Sequence, residues 1–125
     1  MKPGDPIPVL ERTLEIHDLV AYGSATWDWH PMHYDRAWSD EAGLPGPVVD
    51  GQEFGALMAE QLLDWLGPRA FITHLQFRFK SMVFAGETVR LEGEVTGLEG
   101  GVVSVSQRVM AGDRLAVEGS AKVRL

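Results

Sequence analysis

The chain is predicted to be an α+β protein in which an antiparallel sheet packs on one long, buried helix. Two observations carry this. Residues 52–66 (QEFGALMAEQLLDWL) place apolar side chains at helical spacing. From residue 71 onward the period changes to two, in four segments separated by glycine-containing turns. Hairpin-linked strands that follow one apolar helix bury their shared face against it. The length of 125 residues fits one domain, 1–125.

Taken in order, residues 1–8 are rich in Pro and Gly and are expected to lead in without regular structure. Residues 9–16 alternate loosely as a strand. Residues 17–25 read as a short helix. Asp18 suits the positive end of its dipole, and Gly23 and Ser24 weaken its far end. Pro31 holds His30 extended and excludes a helix through residues 26–35 (TWDWHPMHYD). Residues 36–42 form one or two helical turns that Gly43 stops, and Leu44, Pro45, Gly46 and Pro47 make a rigid loop.

The helix at 52–66 follows Asp50, a natural N-cap, and Gly51, and is closed by Gly67 and Pro68. Phe54, Leu57, Met58, Leu62, Leu63, Trp65 and Leu66 cover more than one stripe, so protein is expected to wrap it. The strands are 71–81, 88–98, 102–110 and 115–125. Leu75, Phe77 and Phe79 face one way in the first of them, and Val89, Leu91, Gly93 and Val95 do so in the second.

Composition narrows the function. The net charge is −7, with no basic stripe. That argues against nucleic acid and against an anionic membrane surface as partners. There is no cysteine, which removes disulfides, thiol catalysis and Cys-based metal sites. No apolar run approaches the roughly 20 residues of a membrane span. The first residues lack the pattern of a signal peptide, so a cytoplasmic location is expected. Small chains bury proportionally less surface, so an oligomer is expected too. An anionic ligand stays open, because a few local cations suffice to hold a phosphate. Arg36, Arg69, Arg78 and Lys80 are available, although each reads first as part of a solvated face.

The candidate chemistry lies in residues 26–35. Asp28 and His33 flank Pro31, so a loop rather than a helix lets both converge on one pocket. A carboxylate and an imidazole in one site are natural acid/base partners. The N-terminus of the apolar helix follows, with unsatisfied N–H groups that polarise a carbonyl. Gly51 leaves that approach open. Together they form a kit for adding water to an unsaturated thioester. A metal site on His30, His33 and Asp28 has a permissible spacing but lacks a third strong ligand nearby. Trp29 is a candidate for an acyl pocket, ahead of Trp27 and Trp38.

The segments Asp28-Trp29-His30-Pro31-Met32-His33-Tyr34-Asp35 and Gly43 through Gly51 resemble the motif of the MaoC-like (R)-specific enoyl-CoA hydratases and 3-hydroxyacyl dehydratases. That motif is Asp-x-Asn-Pro-x-His-x-Asp, then a small-residue loop and a His-Gly pair. Phe84 through Val89 also looks like the family's third-strand turn. The resemblance implies the hot-dog fold, a curved antiparallel sheet wrapped around a long central helix. It implies Asp28 and His33 as the catalytic pair activating one water, and the Gly51 N–H as oxyanion donor. It implies a trans-2-enoyl-CoA or acyl carrier protein thioester as substrate, no cofactor and no metal.

Two positions depart from the motif. His30 replaces the Asn that organises the loop, and Asp50 replaces the His before the glycine. Both are placed, with Trp29, at a possible substrate pocket. An ionised Asp50 would oppose an oxyanion beside it. The chain also looks like small MaoC-like subunits of steroid side-chain degradation. It shares with them an Asp-Trp-x-Gly-Pro helix end, here Asp64 to Pro68. A homodimer or higher homo-oligomer is therefore expected, with a hetero-oligomer of two MaoC-like subunits as the alternative. Two further readings stand beside the hydratase: a hot-dog acyl-CoA thioesterase, and a structural or acyl-binding subunit of a larger complex.

Overall fold

The computed structural model describes residues 1–125. Five strands, β1 (Leu10–Thr13), β2 (Phe71–Phe79), β3 (Thr88–Glu99), β4 (Val102–Ala111) and β5 (Arg114–Arg124), form one sheet in the order β1-β3-β4-β5-β2. Every pairing is antiparallel. Three α-helices precede or join it: α1 (Ile16–Thr26), α2 (Arg36–Glu41) and α3 (Gly51–Leu66). A 3-10 turn at Pro31–His33 lies between α1 and α2. This is the hot-dog arrangement, with α3 lying on the inner face of the sheet.

Two apolar clusters hold α3 to that face. Phe54 and Met58 meet Val89, Leu91, Val109 and Val117 toward one end. Leu62 meets Ile7, Val95, Val103, Val105 and Val123 toward the other. Two inward positions of the sheet accept no side chain. A Cβ at Gly119 would stand 2.3 Å from the Gln76 carbonyl oxygen, and one at Gly93 would stand 2.4 Å from that of Ser106. Between them a polar seam crosses the core. The Gln107 side-chain amide donates to the Met58 carbonyl and to Gln61 Oε1, while that of Gln61 donates to the Pro8 and Leu91 carbonyls.

Several expectations are corrected. Residues 1–8 are not loose. Gly4 and Ile7 donate to the Val95 and Gly93 carbonyls, and Val95 donates back to Asp5, so the lead-in runs beside β3 and Ile7 is buried. The strand expected at 9–16 is only Leu10–Thr13. It ends early because Glu15 and Asp18 form a reciprocal capping box that starts α1 at Ile16. Protein does not wrap α3 on every side: Leu63 is 41% exposed, and Glu53 and Gln61 are buried instead. Leu75 and Phe77 turn partly inward as expected, but Phe79 is 56% exposed at the end of β2. No helix is long and apolar enough to cross a membrane.

Candidate active site

Three side chains meet where α1 ends, the 3-10 turn closes and α3 begins. Gly23 permits the first approach. The chain reverses after Trp27, whose φ is 60°, and Asp28 folds back onto α1. A Cβ at Gly23 would stand 2.8 Å from the Asp28 carbonyl oxygen. The Asp28 amide donates to the Gly23 carbonyl at 2.9 Å.

His30 then takes extended backbone ahead of Pro31 (φ −63°, ψ 128°). Its Nδ1 accepts from the Met32 amide at 3.0 Å, capping the 3-10 turn. This brings His33 round to face Asp28. The loop is closed from the other side, where the Val48 amide donates to the Met32 carbonyl at 2.8 Å. Val48 and Val49 are held in turn against residues 83–84 by a bridge to Phe84 and a bond to the Val83 carbonyl.

His33 Nδ1 lies 2.7 Å from the Val48 carbonyl oxygen. A carbonyl only accepts, so Nδ1 carries the hydrogen and Nε2 is turned toward the acids. Nε2 is 3.5 Å from Asp28 Oδ2 and 3.8 Å from Asp50 Oδ2. One donor atom from each of the three residues lies within 4.8 Å of the others. Asp50 is the N-cap of α3, as the sequence indicated: its Oδ1 accepts from the Gln52 amide at 3.0 Å. Its other oxygen joins the cluster, which the N-cap reading did not foresee.

The electrostatics follow from packing acids together. The Asp50 side chain, and then the His30 amide, hold the Asp28 carboxyl below its ordinary value. Burial first, and Asp28 second, push Asp50 up. Burial, with Asp18 and Asp50 behind it, pushes Glu53 up to about 7. Burial also raises the Tyr22 phenol, helped by Asp50, Glu53 and Asp28.

A cavity of about 310 Å³ opens beside the cluster, lined by Leu19, Val20, Gly23, Asp28, Trp29, His33 and Tyr34. Trp29 is therefore at the cavity. Trp27 is 81% exposed, and Trp38 packs edge-on against His30 at 5.4 Å. None of Arg36, Arg69, Arg78 and Lys80 lines it. A larger concavity of about 660 Å³ lies on the outer face of the sheet, among Gln76, Arg78, Glu92, Arg108 and Glu118, and holds no member of the cluster.

The sequence missed Leu19, Val20 and Tyr34 as lining residues, and Tyr22 and Glu53 as acids near the site. The helical spacing of Leu19, Val20 and Gly23 was a usable signal for one face of α1. Nothing local marked Glu53. The metal reading also changes. The third donor beside Asp28 and His33 is Asp50 rather than His30, whose Nδ1 is already accepting a hydrogen bond. Two carboxylates and one imidazole are a donor set that suits a divalent cation.

The family model of the MaoC like domain matches residues 2–119. The chain belongs to the MaoC-like family. It is 30% identical over 120 residues to the (R)-specific enoyl-CoA hydratase of Aeromonas caviae, covering 93% of this chain and 90% of that one. It is 29% identical over 102 residues to the 3-oxo-4,17-pregnadiene-20-carboxyl-CoA hydratase beta subunit of Mycobacterium tuberculosis, covering 82% and 79%. The solved (R)-hydratase from A. caviae, described as involved in PHA biosynthesis, superposes with a TM-score of 0.93 at 27% identity, over 100% of this chain and 97% of that one. Membership of this hydratase/dehydratase family and the hot-dog fold thus agree.

Proposed function

We propose that this MaoC-like protein adds water across the double bond of a trans-2-enoyl thioester, or removes it from the 3-hydroxyacyl thioester. The observation that carries the reading is the pairing of Asp28 Oδ2 with His33 Nε2 at 3.5 Å beside an open cavity. One water oxygen can hydrogen-bond to both atoms. In the hydration direction the pair takes a proton as the water oxygen bonds to C3. The π electrons move through C2 onto the thioester oxygen, and the pair then returns its proton to C2 as the enolate collapses. The enolate oxygen needs a donor while it carries charge. The Gly51 N–H, first in α3 and without an intrahelical acceptor, is assigned that role. Trp29 is assigned to the acyl group, and His30 to shaping the loop.

The thioester handle is taken to be CoA, because both relatives are named as hydratases of CoA thioesters. An acyl carrier protein is the alternative. A second MaoC-like subunit is supported by the words "beta subunit" in one of those names. A homodimer is supported by β2, a nine-residue edge strand that exposes Phe71 and Phe79. Light scattering on the purified chain separates these two assemblies.

The deciding experiment follows the absorbance of conjugated enoyl-CoA substrates. Wild type should consume them without releasing free thiol, and Asp28→Asn and His33→Ala should lose the activity. Thiol release would point to a thioesterase instead. Full activity in both variants would overturn the assignment.

A further inference from the structure

The cavity that opens beside Asp28 and His33 takes in both side chains but neither Asp50 nor Gly51. A substrate whose carbonyl oxygen meets the Gly51 N–H and whose C3 meets the pair therefore carries C4 and the rest of its acyl group into it. Buried Leu19 and Gly23, on one face of α1, make the floor. Val20, Trp29 and Tyr34 make the rim, each a little under half exposed. Apart from Asp28 and His33, no lining residue carries a charge at neutral pH, so the space suits an uncharged, apolar body. The rim continues past the mouth. Trp27 stands edge-on to Trp29, with ring centroids 5.8 Å apart, and is the most exposed of the large apolar side chains. It is also the only non-glycine residue with a positive φ, a backbone conformation that strains a bulky side chain. Neither burial nor backbone preference accounts for a tryptophan there. Contiguous exposed apolar surface beside a cavity marks a binding surface.

We infer that this site takes acyl groups larger than the cavity, whose inner carbons fill it and whose outer, apolar part lies across Val20, Trp29 and Tyr34 onto Trp27. An apolar cavity of about 150 Å³ takes the six carbons of benzene, so this one, at about 310 Å³, holds roughly twelve. A hexadecenoyl group is longer than that beyond C3 and must pass the mouth. On the rim its methylenes leave water for rings that are themselves exposed, so added length strengthens binding. Val20, Trp29 and Tyr34 are then specificity-determining residues, and Trp27 adds to the preference only for groups that leave the cavity. The inference names the substrate class of the hydration site, and it rests on that reading for the direction in which the thioester lies.

The spectroscopic arm needs no turnover. Hexadecanoyl-CoA has no double bond to hydrate, and it is titrated below its micelle concentration into the purified protein. Tryptophan emission should shift to the blue as Trp27 and Trp29 leave water, and butanoyl-CoA should shift it less. In Trp27→Gly the shift should shrink. Glycine tolerates the positive φ, so the fold survives that change. No shift with hexadecanoyl-CoA, or an undiminished shift in Trp27→Gly, overturns the inference, whatever the enzyme does.

In the kinetic arm, kcat/KM is measured for trans-2-butenoyl-CoA and trans-2-hexadecenoyl-CoA, and the readout is their ratio. Wild type should favour the longer substrate, and a preference for the shorter overturns the inference. The ratio should fall by about tenfold in Trp27→Gly and in Val20→Ser, as if roughly two methylenes left apolar contact. A merely structural loss lowers both substrates alike and leaves the ratio where it was. An unchanged ratio in both variants overturns the inference and leaves the hydratase reading standing. So does an unchanged ratio beside an oligomer that dissociates in Trp27→Gly, which would make the rim a subunit contact. Absence of hydration in wild type, with the emission shift intact, overturns only the hydratase reading.

Discussion

His33 and Val48 are joined by one contact that decides which way the imidazole faces: Nδ1 sits 2.7 Å from the Val48 carbonyl oxygen. The Val48 amide in turn bonds back to Met32, so the turn carrying His33 and the strand-like segment before α3 brace each other. Removing the ring should therefore injure chemistry far more than folding. His33→Ala is expected to lower kcat for hydration by about 10²–10⁴-fold. The unpaired carbonyl should cost only about 1 kcal/mol. Steady-state rates and thermal unfolding of the same preparation check this, and equal losses in both would contradict it.

Gly51 and Gly119 should respond differently to a methyl group. At Gly119 the new Cβ meets the backbone carbonyl of Gln76 and the side chain of Met58, neither free to move far. Gly119→Ala should destabilise by about 2–3 kcal/mol. At Gly51 the obstacle is the ring of Phe79, which is more than half exposed and able to swing aside. Gly51→Ala should lose activity while losing less stability than Gly119→Ala. Denaturant titrations beside rates would show whether the order holds.

Glu53 should make stability fall as pH rises. It is 8% exposed with one oxygen unpartnered, and its pKa moves from 4.5 to about 7 on folding. The folded state then holds the proton more tightly than the unfolded one. Its contribution is full below about pH 4.5 and is lost as pH climbs toward 7. The loss is on the order of 3 kcal/mol. Glu53→Gln should flatten the decline in melting temperature between mildly acidic and mildly alkaline buffer. An unchanged slope would remove Glu53 as its source.

Gln61 and Gln107 should behave as one unit. Gln61→Leu leaves two backbone carbonyls and one Gln107 hydrogen without partners, at a cost of about 2–4 kcal/mol. Adding Gln107→Leu should cost much less than it does alone. Additive losses in a double-mutant cycle would show that the two amides are independent.

The periodic elements were legible in the sequence, since alternation marked β2 through β5 to within two residues at most ends. Asp28 and His33 were legible because Pro31 ruled out a helix between them. Asp50 was legible only as a cap, because its second oxygen acquires a meaning when the 3-10 turn swings His33 across to α3. Gln107 sits at an inward position of β4 in a run of valines, and the pattern does not reveal that Gln61 waits opposite. The lead-in escapes the sequence pattern because backbone pairing with β3 and one buried side chain, Ile7, hold it, and its Pro and Gly advertise neither. Glu53 shows the same limit: an acid in the first turn of a helix looks like a solvated dipole partner until the neighbouring elements cover it.

Gly23 offers no functional group to any substrate, yet the Asp28 backbone rests on it with no room for a methyl. A search for inactive variants would therefore find it beside the acids, and tracing reactivity alone would leave its presence there unexplained. The reach of the carboxylate into the cavity is measured from a surface that a hydrogen atom, and nothing larger, can provide.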